Sequence, residues 1–419
     1  MAVENTSNIL IIGAGTWGCS IALELARRGH TGIKVLDGSP FPSAISAGND
    51  LNKITEEANE PSENDSDETY FWNRITQIAM QAWTHDPLFA PFYHETGFIM
   101  AAPADLVPLN SKEDFHKTMP EGVLQGNFPG WHGFWKQRGA GWVYASGAMK
   151  ALYGEARRLG VQFVTGELEG KVEELILTSG HDAVLGARTS DSVIHTACKT
   201  ILAAGANSIN LLDFKKQLRP TAWTLAHVPL SAEEAQLYRN LPVLYGVDRG
   251  FFIEPDIERH EMKICDEHPG YINLVIDSNG DTHSVPFARR QIPKEAETRM
   301  RRLLSETTPQ FSGRKFSFAR ICWDADTVDR MFLIDKHPVL ENLVVAVGGS
   351  GNGFMACPAI GILVVDNLEE AGQIEERVRK MMRWRPETSV HRDWWDAQGR
   401  CGADGKVIDF RDVEEWTSI

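Results

Sequence analysis

The sequence predicts an α/β protein in which a Rossmann-type dinucleotide-binding domain is interleaved with a second, sheet-based domain. Three observations carry this expectation. A Gly-x-Gly-x-x-Gly run, Gly13 to Gly18, sits between an apolar strand pattern and an amphipathic helix pattern. Two later apolar runs also end on glycine, at Gly205 and Gly348, as buried parallel strands of one sheet would. Between residues 220 and 320, aromatic and β-branched stretches dominate and point to a sheet of a different kind. At 419 residues the chain exceeds one core of common size, so two domains are expected. Residues 1–84, 145–215 and 323–419 are assigned to the nucleotide domain, and 85–144 and 216–322 to the second.

The elements follow in order. Residues 8–40 read as strand, helix, strand: Ile9 to Ile12, a glycine turn, an amphipathic run over residues 20–28, then Ile33 to Asp37. Residues 55–68 are acidic, poor in apolar side chains and interrupted by Pro61, and read as a solvated loop. A helical pattern over 147–160 leads into a strand at 161–164, followed by strand-like runs at 183–188 and 193–195. Residues 200–206 form the second glycine-ended strand. In the second domain, strands are expected near 243–245 and 250–253 and a helix at 294–304. Residues 342–353 repeat the strand-into-glycine theme, and 360–370 read as the helix behind it. No repeat of fixed period occurs.

Each glycine of the fingerprint has its own task. Gly13 permits the tight turn, Gly15 lets the backbone approach a pyrophosphate, and Gly18 lets the helix pack close to the strand. Thr16 and Trp17 open the helix, whose free N–H groups suit phosphate oxygens. Asp37 ends the second strand, where a carboxylate can accept a hydrogen bond from a ribose hydroxyl. The fingerprint alone does not separate FAD from NAD. Its place at the start of the chain, with glycine-ended strands returning near Gly205 and Gly348, favours FAD, which is long enough to need several such edges.

Composition narrows the partners. With 42% hydrophobic and 24% charged residues the chain is of ordinary globular composition. A net charge of −15 disfavours nucleic acid and anionic membrane surfaces, which call for excess Lys and Arg. No apolar run reaches the roughly 18 to 20 residues of a membrane span. The six cysteines lack Cys-x-x-Cys spacing, no signal segment precedes Asn8, and the chain does not end in a Ser-Lys-Leu type address, so a cytoplasmic setting is expected. No metal-ligand spacing occurs, and no metal is expected.

Beyond the fingerprint, the sequence resembles the amadoriases, or fructosyl amino acid oxidases, of the monomeric sarcosine oxidase group of flavoproteins. The resemblance runs nearly end to end. It is carried by residues 42–50, 122–126, 218–224 and 332–335, by Lys263-Ile264-Cys265-Asp266-Glu267-His268-Pro269-Gly270 and by Phe318-Ala319-Arg320-Ile321-Cys322-Trp323. It implies a glutathione-reductase-like FAD domain interleaved with an antiparallel-sheet substrate domain, in a monomer that oxidises a secondary amine with O2 as acceptor. Cys322 matches the cysteine that binds FAD through an 8α thioether, Lys263 the lysine that assists reaction with O2, Glu267 a carboxylate facing the substrate, and Arg400 the arginine that anchors the substrate carboxylate. Cofactor contacts are further implied at Ser46, Lys53, Gly205, Asp335, Gly351, Gly353, Phe354 and Met355.

One departure stands out. The family carries Gly-Phe-Lys after its last glycine loop, with the lysine on the substrate; this chain has Gly353-Phe354-Met355. A second is Cys401, beside Arg400, where the amadoriase pattern has Phe. The leading expectation is hydride transfer from an N-substituted amino acid of fructosyl type to flavin, followed by imine hydrolysis and H2O2 release. The alternatives are an N-methyl or aromatic secondary amine whose imine closes a ring in secondary metabolism, and a flavin-binding protein without turnover.

Overall fold

The computed structural model describes residues 8–100, 107–246, 249–256, 258–277, 280–390 and 406–417. Among them, strands from distant parts of the chain assemble a six-stranded sheet in the order Leu333–Lys336, Leu343–Val347, Lys199–Leu202, Ile9–Ile12, Ile33–Asp37, Gln162–Thr165. The pairs are parallel except at the edge, where Leu333–Lys336 runs antiparallel to its neighbour. Ile9 to Ile12 are all buried because both faces of this sheet are covered. Ile9, Ile11 and Val35 pack against helices Thr16–Arg27 and Cys357–Glu369. Leu10, Ile12 and Leu36 face the other way, onto Val184 and Ala187 of a three-stranded sheet formed by Val172–Leu177, Val184–Thr189 and Ile194–Thr196.

The second sheet has nine strands, in the order Phe318–Thr327, Leu218–Pro229, Glu261–Ile272, Gly250–Phe252, Val243–Gly246, Phe98–Met100, Gly133–Lys136, Val107–Leu109, with Ile408–Asp409 on the Glu261–Ile272 strand. It is mostly antiparallel but not wholly so: Val243–Gly246 meets Phe98–Met100 in parallel, and Ile408–Asp409 is parallel to its partner. The antiparallel expectation is corrected at those two joints. Phe410 and Trp416 pack with this sheet's core, so residues 406–417 lie with the second sheet, although 323–419 was assigned to the nucleotide domain.

The long strands of this sheet show the two-residue period of β structure. On one face Ala222, Ala226, Met262, Ile264, Ala319 and Ile321 join one apolar core. Helix Lys294–Thr307 covers that face with Ala296, Met300, Leu303 and Leu304, a spacing of four, three and one that forms a single stripe. Truncating the fully buried Leu303 to Ala would cost about 2–5 kcal/mol. The opposite face presents Leu225, Lys263, Cys265, Arg320 and Cys322 to a cavity.

The acidic segment is the expected loop over residues 57–66, with regular structure entering only its first and last two positions. Lys53–Glu56 is a strand paired with Ala140–Val143, and Ser66 caps helix Asp67–His85 by accepting the Thr69 N–H at 3.1 Å.

Candidate active site

A cavity of about 1790 Å³ lies between the glycine turns of the first sheet and the face of the second that bears Lys263 and Cys322. That exceeds the roughly 300–1,000 Å³ of an ordinary small-molecule pocket, so there is room for a long cofactor and a second molecule. At one end, strand Ile9–Ile12 delivers Gly13 with φ of 107°, in the left-handed half of conformational space that favours glycine. A Cβ there would lie 2.5 Å from the Ala203 carbonyl oxygen, and one at Gly18 only 1.8 Å from that of Gly13. Gly15 faces the cavity, with Ser46 Oγ as its nearest neighbour at 3.8 Å from an added Cβ. Helix Thr16–Arg27 has no side-chain cap, which leaves its first N–H groups open to phosphate oxygens.

Asp37 lines the same end. Its carboxylate accepts the Ala14 N–H at 2.7 Å and the Ser39 N–H at 2.9 Å, and burial pushes its pKa up against those two bonds. Trp17 lines the wall and donates its indole N–H to the Gly353 carbonyl at 2.9 Å, tying the first glycine turn to the last. Thr16, Gly205, Gly351, Phe354 and Met355 also line the cavity. The Met355 carbonyl is held by the Trp83 indole at 2.7 Å.

The opposite wall carries the charges. Lys263, 1% exposed, donates to Asp50 Oδ2 at 2.6 Å and to the Asn52 carbonyl at 2.9 Å. Lys53 reaches the same Asp50 oxygen at 2.9 Å. Burial would raise the Asp50 carboxyl, but Lys263, Lys53 and Arg320 overcome it and hold the group well below the usual carboxylate range. Burial opposes the charge on Lys53, yet Asp50 prevails and raises its pKa. Arg320 donates to the carbonyls of Ala44, Ser46 and Asn49, each at 3.2 Å, and so fastens the 43–52 loop of the first domain onto the second sheet. Two residues along the same strand, Cys322 sits buried on the cavity wall.

The site residues expected from the sequence divide into three groups. Gly13, Gly15, Thr16, Trp17, Asp37, Ser46, Lys53, Gly205, Lys263, Cys322, Gly351, Gly353, Phe354 and Met355 are brought together on one cavity, with Gly18 packed behind the turn. Asp335 is the correction: it is not on the cavity wall, and its carboxylate accepts the Trp384 N–H at 2.7 Å, a structural bond at the sheet edge. Arg400 and Cys401 lie outside the described residues; Glu267 is on strand Glu261–Ile272, its side chain outside the description. Sequence reasoning gave no role to Asp50, which stands 213 residues from Lys263, or to the pinning contacts of Arg320.

Uncapped helix N–H groups, a glycine cradle that a Cβ would fill and a long cavity fit a dinucleotide, and they define the class of flavin- or nicotinamide-binding oxidoreductases. The FAD-dependent oxidoreductase family model matches residues 8–367. The chain is 50% identical to the solved structure of fructosyl amine:oxygen oxidoreductase (Amadoriase I) from Aspergillus fumigatus, covering 100% of this chain and 98% of that one with a TM-score of 0.95. It is 49% identical to fructosamine oxidase (Amadoriase II) from the same organism, with coverage of 100% and 98% and a TM-score of 0.94. L-saccharopine oxidase of Schizosaccharomyces pombe is 28% identical over 97% of this chain and 98% of that protein. The chain belongs to the FAD-dependent oxidoreductases and, within them, to the amadoriase group. Among the described residues no helix is long and apolar enough to cross a membrane.

Proposed function

We propose that this protein oxidises the C–N bond of an N-substituted amino acid of fructosyl type, releasing H2O2 and an imine that water hydrolyses. The observation that carries the reading is the buried Lys263 ammonium, fixed by Asp50 and Asn52 on the cavity wall that also bears Cys322. The names of the solved relatives, a fructosyl amine:oxygen oxidoreductase and a fructosamine oxidase, support the substrate class.

FAD held in this cavity would supply a hydride acceptor for the carbon beside the amine nitrogen and a route for the electrons to O2. The remaining work falls to the chain. Gly13, Gly15 and the open N–H groups at Thr16 and Trp17 would hold the pyrophosphate, and Asp37 the adenosine ribose. Cys322, on the cavity wall, would hold the cofactor through the 8α thioether that the family resemblance implies. Lys263 stabilises negative charge developing on oxygen, and because Asp50 and Asn52 already orient it, little reorganisation is needed at that moment. Glu267 and Arg400 are assigned to the substrate's polar groups and carboxylate.

Met355 places a soft apolar side chain where the family has a cation, so this end of the cavity is retuned toward a less polar substituent. That feature favours a second reading, an N-methyl or aromatic secondary amine. Anaerobic mixing with fructosyl-valine, fructosyl-lysine, sarcosine and N-methyl aromatic amino acids decides between the two. Rapid bleaching of the flavin by fructosyl-valine is expected; bleaching by N-methyl compounds alone would replace the deglycating reading with the second.

A further inference from the structure

Lys263 is held by a loop of the other domain, and that loop is held in turn by a cation that the assigned chemistry does not use. Residues 43–52 contain no helix or strand. They fold back on themselves in two turns, in which the Ser46 N–H donates to the Ser43 carbonyl at 3.2 Å and the Asn49 N–H to that of Ser46 at 3.1 Å. The far end carries Asp50 and the Asn52 carbonyl, the two groups that receive the Lys263 ammonium. Asn52 also donates through Nδ2 to the Glu254 carbonyl at 3.0 Å, so this end meets the second sheet twice. The near end meets it at Arg320, which is 4% exposed: Nη1 donates to the carbonyls of Ala44 and Ser46 and Nη2 to that of Asn49.

Arg320 and Lys263 line the same cavity but belong to strands separated by Leu218–Pro229, whose Leu225 pairs with Arg320 on one side and with Cys265 on the other. Two strand spacings set the two backbones about 10 Å apart. Two cations form no bond with each other, so a geometric influence of one on the other must run through the loop. Three carbonyl oxygens converging on one point repel each other unless a donor lies among them. The planar guanidinium meets that need with several N–H groups in a fixed fork, which the point charge of an ammonium cannot reproduce. Arg320 also helps to keep Asp50 ionised, after Lys263 and Lys53.

We infer that Arg320 is a positioning residue for Lys263: it fixes the 43–52 loop so that Asp50 and the Asn52 carbonyl stand where they aim the ammonium. The inference rests on the reading of Lys263 as the group that assists reaction with O2. In that reaction two electrons leave the reduced cofactor and, with two protons, convert one O2 into one H2O2. Charge developing on oxygen is stabilised most by a cation that is already in place, because reorientation during the step forfeits the advantage. Arg320 therefore makes the oxidative half of the cycle depend on how one domain is seated on the other.

The test is stopped-flow reoxidation by O2 of the photoreduced holoenzyme, for wild type, Arg320→Met, Arg320→Lys, Lys263→Met and the two double variants. Photoreduction makes the measurement independent of the substrate. Misplacing a reacting group by about 1 Å can cost about a hundredfold, so Arg320→Met should slow reoxidation by about tenfold or more. Arg320→Lys keeps the charge but loses the fork, and should be slower than wild type by about threefold or more. In the Lys263→Met background either substitution should change the rate by less than about twofold, because the group through which Arg320 acts is gone. Amide hydrogen exchange across residues 43–52 should quicken by about tenfold in both Arg320 variants. If Arg320→Met loses its flavin, Arg320→Lys carries the test in both backgrounds. Arg320→Lys reoxidising at the wild-type rate, equal slowing in the two backgrounds, or unchanged exchange in the loop overturns the proposal. The first result would leave Arg320 a charge alone, the second a general structural role. Lys263→Met reoxidising as wild type removes the reading of Lys263 itself, and the latch with it.

Discussion

Replacing Lys263 with methionine removes one ammonium while keeping an unbranched side chain of similar length. Lys263 and Lys53 share the single ionised carboxylate of Asp50, at 2.6 and 2.9 Å, so the cluster carries one net positive charge. A unit charge about 4 Å from an oxygen anion, at an effective dielectric near 20, attracts it by about 4 kcal/mol. The neighbouring Asp50 offsets part of that field, and a range of about 2–4 kcal/mol follows, or about 30- to 1000-fold in rate. Lys263→Met leaves the cluster neutral; adding Asp50→Asn restores a net positive charge through Lys53. Stopped-flow reoxidation of the substrate-reduced enzyme by O2 should therefore be slow in the single variant and partly recovered in the double variant. Reoxidation of Lys263→Met within threefold of wild type, or a double variant no faster than the single, would refute the electrostatic argument.

Gly18→Ala should abolish cofactor retention, because the added carbon meets the Gly13 backbone oxygen at 1.8 Å and neither backbone can yield cheaply; the absorbance of the purified protein reads this directly. Cys322→Ser should leave flavin that separates from the acid-precipitated chain, whereas the wild-type precipitate stays yellow. Asp50→Asn should destabilise the fold at pH 7 by about 3–5 kcal/mol, since Lys263 is left buried without its anion. The folded pKa of Asp50 lies below its unfolded value, so its contribution is complete above about pH 4 and fades as pH falls through the depressed value. The gap between wild type and variant in denaturant unfolding should accordingly close only in strong acid. Met355→Lys should lower the KM for fructosyl-valine by about tenfold or more, as a charge-assisted hydrogen bond of about 1.5–3 kcal/mol is supplied.

The nucleotide half was readable because its requirements are local. Gly13, Gly15 and Gly18 sit within six residues of one another, and the apolar run before them can only be a strand buried on both faces. The resemblance placed Lys263 and Cys322 on the same chamber as that turn. What escaped was the chemistry of pairing across distance. Asp50 looks like any loop acid until the fold brings two lysines to one of its oxygens, and Arg320 looks like a surface cation until three loop carbonyls surround it. Asp335 erred in the other direction: a matched segment preserved its position, while its carboxylate serves the sheet edge and not the cavity.

The wall of the chamber is a single strand layer thick. Ala222 and Ala226 lie one residue away from the side chains that face the cavity, with Ala319 and Ile321 flanking Arg320, and all four join the apolar core behind the sheet. A bulkier residue at any of the three alanines points away from the cavity, yet it must push its strand, and with it Leu225, Arg320 or Cys322, toward the cofactor. Selectivity in this enzyme is thus adjustable from the rear, and a search for variants with new substrates gains as much from the hidden alanines as from the lining of the cavity itself.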